Sequence, residues 1–140
     1  MIAAWSVGDA DQNASVLEAL RQITAYVRDN QRDYEAEFGM SIGFRAAIHG
    51  GPVIAGEYGG TKRQITYLGD TVNATARLEQ LSKNLNAKIV SSQLLLRQIR
   101  VPQDVSVKHV GEFNLKGIKS PMSVCTVEFV ESALTQDARE

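Results

Sequence analysis

Gly69-Asp70-Thr71-Val72-Asn73-Ala74-Thr75-Ala76-Arg77 is the stretch that decides how the 140-residue chain is read. A glycine ends the preceding apolar run, and Asp70 carries the short carboxylate that caps helix N-termini. Ala74, Leu78, Leu81 and Leu85 then recur at helical spacing, so a helix is predicted from Asp70 to about Asn84 with that stripe turned to a core. Asn73 and Arg77 stand four residues apart and neighbour each other along one edge of the stripe. An amide beside a guanidinium near a helix N-terminus suits an anion, because unsatisfied N–H groups and aligned peptide dipoles favour negative charge there. Spacing alone fits, more simply, a surface polar pair flanking a core helix.

Upstream of this stretch, Ser41 to His49 alternates as a strand, with Ile42, Phe44, Ala46 and Ile48 on one side and Gly43, Arg45, Ala47 and His49 on the other. Gly50-Gly51-Pro52 makes a turn, Val53 to Tyr58 returns as a second strand, and Gly59 to Arg63 turns again into Gln64-Ile65-Thr66-Tyr67-Leu68. The glycines are no Walker loop, since no Gly-Lys-Ser/Thr follows at the required spacing. A lone histidine at a strand end, His49 reads as hydrogen-bonded packing. Earlier still, Met1 to Trp5 is apolar from its first residue and reads as a strand. A turn from Gly8 follows, with Asn13 as the cap of a long helix whose face is Val16, Leu20, Ile23, Val27, Tyr34 and Phe38 and whose stop is Gly39.

Downstream, Ala87 to Val90 reads as a short strand, and Ser91 or Ser92 caps a short helix closed by Pro102. Val105 to Val110 and Phe113 to Lys116 form one strand with an irregularity at Gly111, and Ser123 to Val130 is its partner across Lys119-Ser120-Pro121. Residues 1–130 thus make one domain, and 131–140 is a polar, frayed tail. Mixed strands and helices point to an α+β arrangement, a sheet with helices packed on it.

Composition narrows the function. Apolar content of 44% and charge of 22% are ordinary for a soluble domain, and a net charge of -1 offers no basic field for nucleic acid or an anionic membrane. One cysteine excludes an internal disulfide, and with two histidines it is too few for a zinc site of His and Cys alone. No signal peptide and no membrane-length apolar run is found.

Three blocks carry a resemblance. Phe44-Arg45-Ala-Ala-Ile48-His49-Gly-Gly-Pro52-Val53-Ile-Ala-Gly56-Glu-Tyr-Gly59 resembles the glycine-rich hairpin of class III nucleotidyl cyclase catalytic domains. Tyr67-Leu-Gly69-Asp-Thr-Val72-Asn73-Ala-Thr-Ala-Arg77-Leu-Glu79 is similar to that family's signature helix, and Phe113-Asn-Leu-Lys116-Gly117 resembles its C-terminal lysine-glycine strand. The blocks stand in the family's order across about Met1 to Val130, and the bacterial adenylate cyclases are the most similar subgroup. The resemblance implies a ferredoxin-like, antiparallel-rich sheet and the conversion of ATP to 3′,5′-cyclic AMP and pyrophosphate at a homodimer interface. It also implies two Mg²⁺ or Mn²⁺ ions, and a cytoplasmic catalytic segment with or without a membrane anchor elsewhere in the parent.

Residue by residue, Asn73 matches the asparagine that positions the ribose, and Arg77 matches the arginine that stabilises the transition state at the α-phosphate. Lys116 matches the lysine at the terminal phosphates, and Arg45 the arginine that reaches phosphate from the opposite subunit. Taken alone, either of these last two reads as a solvated surface charge. Thr66 stands where many adenylate cyclases carry an aspartate to read the adenine amino group; a threonine there resembles the subgroup that includes bicarbonate-responsive cyclases, and its hydroxyl can accept a hydrogen bond. By itself Thr66 reads equally well as a β-branched strand residue.

The family's two metal-binding aspartates would lie upstream of Met1, and Asp9 and Asp11 read as turn and cap residues in no position to replace them. The chain therefore resembles the latter two-thirds of a cyclase domain, without its first strand, first helices and the strand before Met1. It is expected to be inactive alone, and to pair with itself or with a complete cyclase protomer. The alternatives are a degenerate cyclase homologue acting as a regulatory or dimerisation module, and an unrelated ferredoxin-like binding module; few aromatics and no basic surface count against RNA as its ligand.

Overall fold

The computed structural model describes residues 1–130, so the expected polar tail at 131–140 lies outside the described residues. Among the described residues there are four helices, α1 (Ala10–Asn13), α2 (Ser15–Phe38), α3 (Asp70–Asn84) and α4 (Gln93–Leu96), and six strands. The strands are β1 (Ala46–Ile48), β2 (Ile54–Tyr58), β3 (Gln64–Leu68), β4 (Ile89–Ser92), β5 (Val105–Phe113) and β6 (Met122–Phe129). The main sheet has the order β1-β4-β6-β5; its β1–β4 pair is parallel and the other two pairs are antiparallel. β2 and β3 form a separate two-stranded antiparallel sheet. The α+β class read from the sequence is the class observed.

Alternation along the main strands divides the core into two layers. On one face Ile48, Ile89, Val105, Cys125, Val127 and Phe129 pack against Leu17 and Leu20 of α2 and Leu96 of α4. On the other, Val90, Val124 and Leu115 pack beneath Leu78 of α3, flanked by Ala47, Leu81 and Leu85. Leu17, Leu78, Val90 and Val124 are wholly buried, and each such side chain contributes about 1.5–3 kcal/mol of transfer free energy. α2 is anchored near its start. Arg21 pairs with Asp104, and its guanidinium lies 5.3 Å from the Phe129 ring centroid. Its end is a left-handed cap at Gly39, as the sequence indicates.

Several boundaries differ from expectation. Met1 to Trp5 forms no strand; the segment is exposed throughout, and a strand needs a ladder partner as well as apolar residues. Of Ser41 to His49, only Ala46–Ile48 pairs, in register with Ile89 to Ser91. The reason is visible at Ile42, whose N–H donates to Gln31 Oε1 at 3.1 Å while its carbonyl accepts from Gln31 Nε2. That one side chain occupies the backbone groups a neighbouring strand would use.

The long helix α2 has Ala14 at its N-cap and no side-chain cap in place of the expected Asn13, and Asp9 caps the short helix α1 before it. Asp9 accepts from Gln12 N at 2.9 Å and Gln12 returns a bond to Asp9 N, a capping box, while Asn13 donates to the Gln98 carbonyl. α3 takes Asp70 into its first turn and leaves Gly69, without a side-chain cap, at the boundary. Asp70 still places a carboxylate at the positive end of the helix dipole. β4 begins later than Ala87 and runs through Ser92, whose hydroxyl accepts from Leu95 N and so caps α4 as expected. The irregularity at Gly111 is real: the β5–β6 register shifts between His109 and Gly111, and β5 ends at Phe113. No helix among the described residues is long and apolar enough to cross a membrane.

Candidate functional site

α3 forms because its apolar stripe covers the main sheet, and that burial turns the opposite edge of its N-terminal half outward. Asn73 lies on this exposed edge, and among the described residues its side-chain amide makes no hydrogen bond. Arg77, one turn on, is half-buried and donates from Nη1 to Gln80 Oε1 at 3.0 Å. Gln80 is neutral, and no carboxylate among the described residues is within ion-pair distance of Arg77. A half-buried guanidinium with no counter-charge is poised for an anion.

The glycine turn before β2 fits closely against this helix. A Cβ placed on Gly51 would lie 2.5 Å from the Thr71 hydroxyl, so the backbone of the turn reaches the first turn of α3 only because that side chain is absent. Thr66 lies on β3, opposite Gly56 of β2, in the strand that leads directly into α3. Its hydroxyl makes no hydrogen bond among the described residues.

Arg45 sits at the entry to β1 and reaches toward α3, with Nε 3.9 Å from Glu79 Oε1. Both side chains are nearly half exposed, so the contact is weak and leaves Arg45 free to reorient. Lys116 follows Leu115, which is buried under α3, and precedes Gly117 in the turn after β5. Its ammonium is exposed and unpaired among the described residues.

Asn73 and Arg77 therefore stand on one helix, and Arg45, at the entry to β1, meets that helix at Glu79. The structure places Thr66 in the strand feeding that helix and Lys116 beside a residue packed beneath it. It does not join the five in one cleft. A cavity of about 600 Å³ opens between the start of β1 and the far half of α3, lined by Arg45, Glu79, Ser82, Asn86 and Lys88, and of the five it includes Arg45 alone.

Sequence reading missed the partners. Gln80, three residues after Arg77, could have been found from helical spacing. Glu79 as the neighbour of Arg45 has no local signal, because sheet and helix packing brings them together. His49 is structural as expected: Nδ1 is 2.7 Å from the Ser92 hydroxyl, and burial holds its pKa below the usual value. Asp9 and Asp11 are also committed to structure, the first as a cap and the second 2.8 Å from Arg100 Nε.

The comparisons with known proteins agree with one another. The Adenylate and Guanylate cyclase catalytic domain family matches residues 7–128. Adenylate cyclase 2 of Rhizobium meliloti (strain 1021) is 41% identical over 122 residues, which are 87% of this chain and 32% of that protein. The Anabaena cylindrica adenylate cyclase is 30% identical over 91 residues, 64% of this chain and 18% of its own length. The chain thus spans about a third or less of the curated relatives it matches.

Among solved structures, the guanylyl cyclase Cya2 has a TM-score of 0.70 at 18% identity, covering 91% of this chain and 63% of that one. The adenylyl cyclase CyaB from P. aeruginosa has a TM-score of 0.61 at 21% identity, covering 88% and 62%. At those identities the two superpositions speak for the fold, in agreement with the sheet and helices described above. With the family match spanning most of its length, the chain belongs to the adenylate and guanylate cyclase catalytic domains.

Proposed function

We propose that this chain supplies the substrate-positioning half of an active site that converts ATP to 3′,5′-cyclic AMP and pyrophosphate, shared between two protomers. The ribose 3′-hydroxyl gives up its proton to solvent as its oxygen attacks the α-phosphorus, a new P–O bond closes the ring, and the bond from the α-phosphorus to the oxygen shared with the β-phosphate breaks, so pyrophosphate leaves with that oxygen. Asn73 orients the ribose through its free amide. Arg77 takes the charge that builds on the α-phosphate oxygens, a role suited to a fixed planar donor. Lys116 and Arg45 bind the outer phosphates, and Thr66 meets the edge of the base. The preference for ATP is supported by the similarity to Adenylate cyclase 2. The observation that carries the reading is the half-buried, uncompensated guanidinium of Arg77 on the same helix edge as the unpartnered Asn73 amide.

The family implies two divalent cations. Among the described residues no three His, Cys, Asp or Glu side chains converge as ligands for one, so these residues do not fit the ions. In this reading the 140-residue chain alone forms no cyclic AMP, and the metal ligands come from a complete cyclase protomer paired with it. The domain runs in the cytoplasm, where ATP is available.

Mixing tests this directly. A complete protomer of the Rhizobium meliloti relative, disabled at its own equivalent of Arg77 but retaining its metal ligands, should regain cyclic AMP synthesis when this chain is added. Arg77→Ala in the chain should lower the rescued rate by about a hundredfold or more while KM for ATP moves by only a few fold, since the group acts chiefly in the transition state. Heterodimers that form without rescue would overturn the shared-site reading and favour a regulatory module.

A further inference from the structure

The β2–β3 hairpin carries an aromatic ring, Tyr58, at the end of β2, opposite Gln64 of β3. Directly opposed residues in an antiparallel pair point to the same face, as do residues two apart along one strand. Gly56 faces Thr66 and Tyr58 faces Gln64, so Tyr58, Gly56 and Thr66 share one face of the hairpin. Tyr58 does not point straight out. A Cβ built on Gly56 would fall 2.9 Å from Tyr58 Cε2, 3.4 Å from Cζ and 3.5 Å from the phenol oxygen. The ring therefore folds back along β2 into the space left by the missing side chain of Gly56, beside Thr66.

The ring is 56% exposed, and among the described residues its hydroxyl has no hydrogen-bond partner. Among the described residues Tyr34 and Phe38 pair as rings on α2, and Tyr58 takes no part in that pair. Tyr58 thus offers an uncovered π-face next to a free threonine hydroxyl. Ile54 and Leu68, opposed on the same face and both exposed, make an apolar margin at the other end. A flat heteroaromatic ring with a polar edge satisfies all three features at once: one face stacks, the edge meets the hydroxyl, and the apolar margin excludes water.

We propose that Tyr58 is a base-contacting residue, whose ring takes the face of the purine while Thr66 meets its edge, and that Gly56 is a glycine to let that ring lie there. The inference rests on the nucleotide reading above, and it assigns base affinity to a residue that the phosphate contacts do not involve.

The test separates base from phosphate. The 140-residue chain is titrated with ATP and, in parallel, with inorganic tripolyphosphate, which carries the phosphates without ribose or base. The wild-type chain should bind ATP more tightly than tripolyphosphate. Tyr58→Ala should weaken ATP about tenfold, the scale of one base–aromatic stack, and leave tripolyphosphate unchanged. Tyr58→Phe should keep the wild-type preference, which also guards against a folding artefact. Gly56→Ala should push the ring aside and reproduce part of the loss. ATP binding unchanged in Tyr58→Ala, or equal weakening toward both ligands, would overturn the role of Tyr58. A wild-type chain that holds tripolyphosphate as tightly as ATP would remove base recognition but leave the phosphate contacts standing. Binding of neither ligand would sink the nucleotide reading and this inference with it.

Discussion

The four-stranded sheet and the β2–β3 hairpin use the same strand chemistry to opposite ends. Every residue of β4 is buried, and β6 alternates between two covered faces, because α2 and α4 lie on one side and α3 on the other. In β2 and β3 no residue is buried, and Ile54, Tyr58, Ile65 and Leu68 stand exposed. A lone two-stranded hairpin is marginal in water, so this one depends on its ends being held by the glycine turn and α3. Stability is concentrated where nothing reacts, and the candidate base-reading face sits where little stabilises it. A surface left open for a ligand cannot also be spent on a core.

The largest expected effect breaks the covered side. Leu78→Ala empties a wholly buried position between α3 and the sheet and should cost about 3 kcal/mol in urea unfolding. Cys125, 2% exposed on the other face with its thiol pKa pushed up by burial, should then react with a thiol reagent much sooner. The matching hairpin change, Ile65→Ala, should move neither measurement by more than about 0.5 kcal/mol.

A smaller effect breaks the open side alone. Gly59 has φ +126°, and an added Cβ would drive into the Lys62 carbonyl, so Gly59→Ala should strain the turn by about 1–3 kcal/mol. Trypsin should then cut after Lys62 or Arg63 about tenfold faster, with Cys125 reactivity unchanged. If global unfolding shifts as much as the cleavage rate does, the two sheets are one cooperative unit and the hairpin does not open by itself.

The smallest effect separates the two by pH. Burial depresses the pKa of His49 below its ordinary value of 6.5, so the unfolded chain binds that proton more readily than the folded one. Stability from this source is complete above about pH 6.5 and is lost as pH falls toward the folded pKa. The urea midpoint should therefore drop between pH 7 and pH 5.5, His49→Gln should flatten the drop, and tryptic cutting at the hairpin should not follow it. A midpoint that rises on acidification would reverse the sign assigned to His49.

Local signals carried much of this architecture. The stripe of Ala74 and Leu78, the stop at Gly39, the cap at Ser92 and the irregularity at Gly111 are all legible within a few residues of sequence, and all are present. What failed needed a partner. Alternation correctly assigns Phe44, Ala46 and Ile48 to one layer and Ala47 to the other, but it cannot say that Gln31 will occupy the backbone of Ile42 and shorten the strand. Met1 to Trp5 has strand composition with no ladder to join among the described residues. In the site, Asn73 and Arg77 were readable because helical spacing makes them neighbours. Tyr58 was not, because only the register of β2 on β3 sets it beside Thr66.

α2 has a consequence of another kind. Its 24 residues span about 36 Å, yet the buried ones, Leu17 and Leu20, belong to its first two turns. Backbone amides near Leu20 are released to solvent hydrogen only when the core opens, whereas those approaching Phe38 are released by unwinding from the Gly39 end. One unbroken helix therefore contains a gradient of opening free energy, from nearly that of the whole domain at its rooted end to nearly zero at its tip.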